Sequence, residues 1–330
     1  MIMMNCRLLF AQLVAALLLL SSGCSFFDHE EDWQQRDIIF SGRPSGFDAA
    51  HGIYAINLDG TGLVPILTSE HDAFTSPAPS PDGSKLVYQS SLGATTLGSR
   101  HYVVHFDGSP LIPGQAVIWS EKNFVGNRAR WQDNDTFAFV WCPTCEVGGT
   151  VTHGYEAWIV NKSVRELDLG DVVLVLPGPD STYAVQRERD TPTYTGLDVV
   201  LRRNTVAGWH ELIVAESVSY GLAWSPAGDE LAFIEGGAEL VVVDTLGIEQ
   251  VRHTLLDAGA RDSLLITGQL EWLPDNTTVL ANRTRLGPRV MNRETMIAVD
   301  LTTGSVRDVL SGDVRFEMAW NPHARIDPVP

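Results

Sequence analysis

Short apolar segments separated by polar turns recur along most of this chain at a nearly constant interval. Each copy has an apolar stretch that ends in Trp or Pro, then a turn of the Pro-Asp-Gly type, then a second β-rich stretch. The last residue of the apolar stretch marks each copy and falls at Pro79, Trp131, Pro177, Trp224, Trp272 and Trp320, with spacings of 52, 46, 47, 48 and 48 residues. Such regular spacing indicates a structural repeat.

The interior of each copy predicts four antiparallel strands. The first strand ends at the mark, and turn residues such as Pro, Asp and Gly separate it from the second strand. A loop, an alternating third strand, an Asp-Gly or Thr-Gly turn and a last strand complete the unit. Examples are second strands at 85–89 and 229–234, third strands at 52–58, 155–160, 240–244 and 296–301, and last strands at 63–67 and 306–310. Four strands in about 48 residues are typical of a β-propeller blade.

The two ends of the chain together supply one further blade. The sixth copy, at 318–321, provides only a first strand, whereas segments 37–41, 52–58 and 63–67 provide the other three. We therefore predict an all-β fold, a six-bladed β-propeller of four-stranded antiparallel blades over residues 37–325, followed by a tail at 326–330. The C-terminal strand pairs with the N-terminal strands and closes the ring, which removes the exposed sheet edge that an open propeller would have.

The repeat resembles the TolB-type propeller repeat, which is related to WD-type repeats. Residues 224–233 (WSPAGDELAF) and 53–60 (IYAINLDG) match its pattern, whereas the copy marked by Pro177 departs from it. The resemblance implies a periplasmic or surface module that binds proteins or ligands. TolB-type proteins carry a further α/β domain before the propeller, for which we expect no room here, so no TolB partner is carried over. We expect the tryptophans to pack between blades and the Asp-Gly pairs to form turns.

The N-terminus has the pattern of an export signal. Residues 1–7 carry one positive charge, residues 8–20 form an apolar run, and Leu20-Ser21-Ser22-Gly23-Cys24 follows. This run is too short for a comfortable membrane span, and its end resembles the bacterial lipobox. We predict a signal peptide at 1–23, a lipid on Cys24 and an acidic tether at 24–36, since several acyl chains give stable anchoring. The alternative is an ordinary secretory signal with a chance cysteine, because Ser21 replaces the usual leucine.

Ser25 after the lipidated cysteine indicates the outer membrane in the enterobacterial sorting pattern, so we expect a lipid-anchored protein facing the periplasm. Export places Cys142 and Cys145 in an oxidising compartment, where a disulfide between them is permitted. A redox site or a zinc site that includes His153 stays an alternative. Haem attachment is excluded by Glu146, which stands where a histidine would be needed.

Charge limits the class of partner. The chain of 330 residues has a formal net charge of −18 and only three lysines, so we expect no nucleic-acid partner. Five long connections between second and third strands, which we expect at one face of the ring, concentrate arginine: Arg43, Arg100, Arg187, Arg189, Arg283, Arg285, Arg289 and Arg293. Arginine suits carboxylates and phosphates. We hypothesise that this face binds an envelope protein or an anionic ligand, unless these arginines pair with neighbouring acids.

No motif in the sequence predicts catalysis. The Gly-x-Ser-x-Gly elbow, the His-Glu-x-x-His motif and phosphate-binding loops are missing. We therefore expect a non-catalytic, membrane-tethered binding scaffold without a cofactor, a resident metal or catalytic residues. The alternative is a metal-dependent polysaccharide lyase or hydrolase, because some TolB-like propellers are lyases that bind metal through histidines in the central channel. His101 and His105 are the candidates for that role, although such spacing on a strand is more typical of one solvent face.

Overall fold

Twenty-three β-strands and one short 3-10 helix form the described part of the chain. In this computed structural model, residues 33–44, 51–69, 73–90, 100–106, 117–118, 129–141, 152–188, 197–256, 264–285, 294–312 and 317–322 are described. The strands are numbered in chain order, and the helix spans Trp33–Gln35. Within these ranges, no helix has the length and apolar character needed to cross a membrane.

The first half of the chain forms three blades. Blade 1 contains β1 (Ile38–Gly42), β2 (Gly52–Ile56), β3 (Val64–Leu67) and the C-terminal β23 (Glu317–Trp320). Blade 2 contains β4 (Phe74–Pro79), β5 (Lys85–Ser90), β6 (Arg100–His105) and β7 (Val117–Ile118). Blade 3 contains β8 (Arg130–Trp131), β9 (Thr136–Trp141), β10 (His153–Trp158) and β11 (Ser163–Leu167).

The second half forms three more blades, two of which share a strand. Blade 4 contains β12 (Leu174–Pro177), β13 (Thr182–Glu188), β14 (Leu197–Thr205) and the first part of β15 (Gly208–Trp224). Blade 5 contains the last part of β15, then β16 (Glu230–Glu235), β17 (Glu239–Asp244) and β18 (Glu249–Thr254). Blade 6 contains β19 (Leu264–Trp272), β20 (Thr278–Arg285), β21 (Glu294–Asp300) and β22 (Val306–Gly312).

All six marks of the sequence repeat end a first strand, as predicted. The six-bladed propeller is therefore confirmed, although strand β15 joins blades 4 and 5 into a single seven-stranded sheet. Its pairing changes partner along its length, since Val199 of β14 pairs with Ala215 and Leu231 of β16 pairs with Trp224. The chain thus passes from the outside of one blade to the inside of the next without leaving the extended conformation.

Hydrogen bonds between the two ends of the chain close the ring. Strand β23 pairs antiparallel with β1, and Ile38 lies opposite Trp320. Beyond this pairing, the buried side-chain amide of Asn321 donates to the carbonyl oxygens of Trp33 at 3.1 Å and Arg36 at 2.8 Å. Both acceptors belong to the segment before β1. The predicted closure of the ring is confirmed.

Each boundary between neighbouring blades holds its own hydrophobic cluster, so the described residues contain six clusters for six boundaries. Successive residues of one strand point into different clusters. Ile38 packs in the cluster that contains Leu280 of blade 6, whereas Ile39 packs in the cluster that contains Tyr88 of blade 2. This arrangement follows from the two-residue period of a strand in a sheet that is covered on both sides.

The prediction that apolar and polar residues alternate along the third strands is therefore wrong. All five residues of β2 are buried, and so are the four central residues of β17. A strand alternates between apolar and polar residues only where one face of its sheet meets water, and each blade here lies between two others. Trp33, at the end of the predicted tether, is buried as well and stacks on Phe106 of blade 2, with ring centroids 4.2 Å apart.

The four tryptophans at the marks pack between neighbouring blades, as predicted. The indole N–H of Trp131 donates to the carbonyl oxygen of Ala78 at 2.6 Å, and that of Trp224 donates to Leu176 at 3.4 Å. The ring of Trp224 lies so close to Gly178 that a Cβ there would come within 2.6 Å of it. This contact explains why the divergent copy in blade 4 has glycine after its mark.

Aspartates of the turns accept hydrogen bonds from the turns themselves. Asp82 accepts from the hydroxyl of Ser80 at 2.7 Å and from the N–H of Ser84 at 2.9 Å, and these bonds lower its pKa to about 2. Asp59 accepts from the N–H of Thr61 in the same way. For these two Asp-Gly pairs, the predicted turn role is confirmed. The pair at 107–108 lies outside the described residues.

We predict that Asn321→Ala destabilises the ring by about 1–3 kcal/mol, because the carbonyl oxygens of Trp33 and Arg36 each lose a hydrogen bond from a buried amide. The free energy of unfolding from urea titration measures this effect. Asn161→Ala is the matched control, since Asn161 is exposed in a turn and bonds only to Ser163. Equal effects of the two changes would show that Asn321 does not stabilise the closure.

Candidate functional site

The ring has two ends with different connections. Because strand direction alternates within each blade, the connections from second to third strands lie at one end, which we call the loop end. The turns from first to second and from third to fourth strands lie at the other, which we call the turn end. Arg43 and Arg285 lie at the loop end, and Pro79 and Trp224 lie at the turn end. Rigid strands thus present irregular segments at both ends, where binding residues usually occur.

Two of the predicted arginines are exposed at the loop end. Arg43 directly follows β1, the second strand of blade 1, and Arg285 ends β20, the second strand of blade 6. Blades 1 and 6 are neighbours, so both arginines lie at the loop end of adjacent blades. No salt bridge joins either one to another part of the described chain.

Two other predicted arginines are held by acids of their own blades. Arg187 lies 3.1 Å from a carboxylate oxygen of Glu211, and Arg283 lies 2.8 Å from one of Asp308. Arg187 and Arg283 therefore pair with neighbouring acids, which is the alternative that the sequence left open. Such half-exposed pairs contribute little to stability, and a bound anion could compete for them.

The remaining predicted site residues lie wholly or partly outside the described part of the chain. Arg100 begins β6, the third strand of blade 2, and its backbone alone is described. The others lie outside the described residues: Arg189, Arg289, Arg293, Cys24, Cys142 and Cys145. The lipid, the disulfide and the full extent of the arginine surface therefore stay predictions.

A cavity of about 290 Å³ lies at the turn end, where first strands of five blades meet. Its lining includes the marks of blades 1, 2, 3, 5 and 6, so it forms the mouth of the central channel. The aromatic and proline rings of these marks make its rim. Two charged residues, Arg130 and Glu271, complete the lining.

Glu271 is partly buried at this mouth. Its carboxylate accepts a hydrogen bond from the N–H of Trp320 at 3.1 Å. Burial raises the pKa of Glu271, and the Arg130 guanidinium and this hydrogen bond act against that rise. Sequence reasoning missed both charged residues. Their position in the repeat could have revealed them. Each one directly precedes a mark, and the other copies have Ala or Leu at that preceding position.

His101 lies in the boundary between blades 2 and 3, away from the channel. Strands β4 and β5 separate its strand from the axis, and its ring lies 5.1 Å from that of Phe139. The side-chain amide nitrogen of Gln89 lies 3.0 Å from its Nε2. Because an amide nitrogen only donates, the ring nitrogen accepts and the imidazole is neutral. The interpretation of 101 and 105 as one solvent face is wrong for His101, which is buried, whereas His105 is exposed.

Among the residues that can be described, no group of three His, Cys, Asp or Glu side chains is arranged to hold a metal ion. The two ends of the ring present different groups: exposed guanidinium groups at the loop end, and an aromatic rim with one acid and one arginine at the turn end.

Comparison with known proteins defines the class by fold. The chain is a TolB-like six-bladed β-propeller: TolB from Acinetobacter baumannii superposes with a TM-score of 0.62 at 15% identity, covering 88% of this chain and 67% of that chain. A chain of a nidogen/laminin complex superposes with a TM-score of 0.57 at 9% identity, covering 88% and 99%. Identities this low show a common fold alone.

An oligogalacturonate lyase from Vibrio parahaemolyticus is similar at a TM-score of only 0.49 and 12% identity, covering 84% of this chain and 77% of that one. A TM-score below 0.5 is too low for this likeness to bear on what the chain does. No protein-family model matches the chain, and no curated protein matches it.

We predict that acid destabilises the protein through His101. Burial lowers the pKa of His101 from 6.5 to about 4. Between pH 6.5 and pH 4, His101 is therefore protonated in the unfolded chain but neutral in the folded chain. The free energy of unfolding consequently falls as the pH falls from 6.5 to about 4. The loss from this residue is at most roughly 3 kcal/mol.

Urea unfolding at several pH values between 7 and 4 measures this dependence. The variant His101→Gln lacks the titrating ring, so its free energy of unfolding should fall less steeply than that of the parent. His105→Gln, on the exposed end of the same strand, is the control and should keep the parental slope. A parental slope in His101→Gln would contradict the assignment.

Proposed function

We propose that this protein is a non-catalytic binding module of the bacterial cell envelope, held at the outer membrane by a lipid on Cys24. It recognises an envelope protein or an anionic ligand through the loop end of the propeller. The propeller fold supplies a rigid frame, and the TolB-type repeat of the sequence favours binding over catalysis. The observation that carries the proposal is the pair Arg43 and Arg285.

These two arginines are unusual in a chain of net charge −18. Arg187 and Arg283 are paired with acids, whereas Arg43 and Arg285 project from adjacent blades and have no ion pair within the described ranges. A guanidinium group offers two parallel donors to a carboxylate or phosphate. A local positive site on an acidic protein selects anionic groups and opposes binding of cationic ones.

We predict that Arg285→Glu lowers capture of the partner at least about tenfold, because the reversal places like charges at the contact. Formaldehyde cross-linking in native envelopes, followed by purification of the full chain and mass spectrometry, measures the recovery of each captured protein. Arg43→Glu should act in the same direction.

Lys162→Glu is the matched control for this experiment. Lys162 is exposed in the turn between β10 and β11, at the turn end, so its reversal changes the net charge equally without touching the proposed surface. If Arg285→Glu and Lys162→Glu recover the same proteins in the same amounts, recognition does not occur through the loop end.

We predict that Cys24→Ser releases the protein from the membrane fraction, because the thioether that carries the acyl chains can no longer form. Metabolic labelling with palmitate and fractionation of the envelope measure the two effects. Cys6→Ser, within the signal peptide, should leave labelling and fractionation unchanged. Absence of label from the parent protein would instead indicate an ordinary secretory signal.

The enzymatic alternative predicts a different metal content for the purified protein. A metal-dependent lyase or hydrolase needs a stoichiometric transition metal, and a binding module does not. Metal analysis of the full chain, prepared without chelators, therefore separates the two functions before any substrate is known.

A further inference from the structure

One outer strand of the propeller has a free edge along half of its length. Residues 208–215 of β15 form the fourth strand of blade 4 and pair with β14 on one side, where Gly208 lies opposite Thr205. From Val218 onward the strand pairs with β16 instead. Within the described ranges, no strand pairs with the other side of 208–215. The backbone N–H and C=O groups on that side can therefore pair with a further strand.

The centre of this free edge is apolar. Leu212, Ile213, Val214 and Ala215 follow one another without a charge, and Leu212 and Ile213 are 41% and 46% exposed. Apolar strand edges attract other strands, so proteins usually protect an outer strand with charges, with proline or by making it short. An exposed apolar surface at such an edge indicates an interaction site.

The outer strands of the other five blades have this protection. Strand β3 contains a proline, and β7 has only two residues. The remaining three each carry an acidic and a basic residue: Glu166 and Arg165 in β11, Glu249 and Arg252 in β18, and Asp308 and Arg307 in β22. The free edge of blade 4 thus differs from every other outer edge that is described.

Blade 5 enlarges the apolar surface beside this edge. Leu246 and Ile248, in the turn between β17 and β18, are 67% and 57% exposed. Gly247 between them lies against the edge strand, because a Cβ there would be 3.2 Å from Cδ2 of Leu212 and 3.0 Å from Cγ1 of Val214. We call the combined surface the β15 edge patch, which consists of Leu212, Ile213, Leu246 and Ile248.

The sequence of the edge is complementary to itself in the antiparallel direction. When Ile213 lies opposite Ile213 of a second copy, Leu212 lies opposite Val214, and His210 lies opposite Glu216. Apolar residues then meet apolar residues, and an imidazole meets a carboxylate at each end of the pairing. Directly opposite pairs of these kinds stabilise a sheet. The edge therefore fits a second copy of itself.

Other registers are less favourable. A shift of two residues in one direction places Glu211 opposite Ile213, and a shift in the other direction places Glu216 opposite Leu212. Each of these shifts sets a carboxylate against an apolar side chain. The charges at the two ends of the apolar segment thus favour the register that is centred on Ile213.

We propose that two copies of this chain associate by antiparallel pairing of β15, with Ile213 on the two-fold axis. The blade 4 sheets of the two copies then form one continuous sheet, and each β15 edge patch lies at the contact. Because both copies use the same surface, the contact is closed and yields a dimer. This inference does not depend on the function proposed above, since Arg43 and Arg285 belong to blades 1 and 6.

Cysteine cross-linking of the purified full chain tests the register. In a background with Cys142→Ser and Cys145→Ser, Ile213→Cys places two thiols opposite each other. Opposite residues of paired strands have Cα atoms about 4.5–5.5 Å apart, a separation that permits a disulfide. After mild oxidation with copper phenanthroline, we expect a cross-linked dimer of this chain on non-reducing gels, in clear excess over the background protein.

Val206→Cys is the matched control for cross-linking. Val206 is exposed in the turn between β14 and β15, outside the paired segment, so a thiol there is accessible but has no opposite thiol. It should form much less dimer than Ile213→Cys under the same oxidation.

Sedimentation equilibrium of the purified parent chain measures dimerisation without a cross-link. One strand from each copy makes a small contact, so we expect a dissociation constant on the order of 10–100 μM. Ile213→Lys places like charges opposite each other on the axis and should raise this constant at least about tenfold. Val206→Lys adds the same charge outside the paired segment and should leave it unchanged. Thermal unfolding verifies that both variants keep the fold.

Three results with the purified protein would overturn the proposal. The first is a parent chain that stays monomeric up to about 1 mM. The second is equal dimer formation by Ile213→Cys and Val206→Cys, and the third is parental dimerisation of Ile213→Lys. Cross-linking of Ile213→Cys in intact cells to other proteins alone would assign the edge to a different partner and overturn the proposal as well. None of these results bears on the loop end, so a failure here is distinguishable from a failure of the proposed function.

Discussion

The pairing of β23 with β1 is the contact on which the rest of this structure depends. Every blade is a sheet that is buried on both faces, so each needs a neighbour on both sides. Only a closed ring satisfies this requirement for all six blades. The closing pair and Asn321 join residues nearly 290 positions apart, with a sequence separation of 288 between Asn321 and Trp33. The long loop closure is offset by two complete hydrophobic clusters, one on each side of blade 1.

Burial between blades also determines how polar groups behave in the interior. His101 is held neutral between aromatic rings, and Glu156 is compensated by Arg165 and Tyr183. A buried charge without such partners would cost several kcal/mol. Exposed charged groups such as Arg43, Arg285 and Asp168 accordingly lie at the ends of the ring and in the groove between blades 3 and 4.

The arrangement separates positive and negative sites on one rigid body. Arg43 and Arg285 project from the loop end of blades 1 and 6, respectively, whereas Asp133 and Asp168 line the groove between blades 3 and 4. Because blade 3 lies opposite blade 6 in a six-membered ring, the two sites are far apart on the molecule.

Local features of the chain were determined by the sequence itself. The six marks, the closing strand and the turn aspartates depend on contacts between residues close in the chain or on a regular spacing, and each is found where the repeat predicts it. The burial of third strands on both faces, the continuous β15 and the pairing of Arg187 and Arg283 were decided only by the tertiary structure. So were the channel mouth with Glu271 and the groove between blades 3 and 4. The physical reason is distance along the chain: Tyr183 meets Glu156 across 27 residues, and such a contact between blades leaves no periodic signal in the sequence.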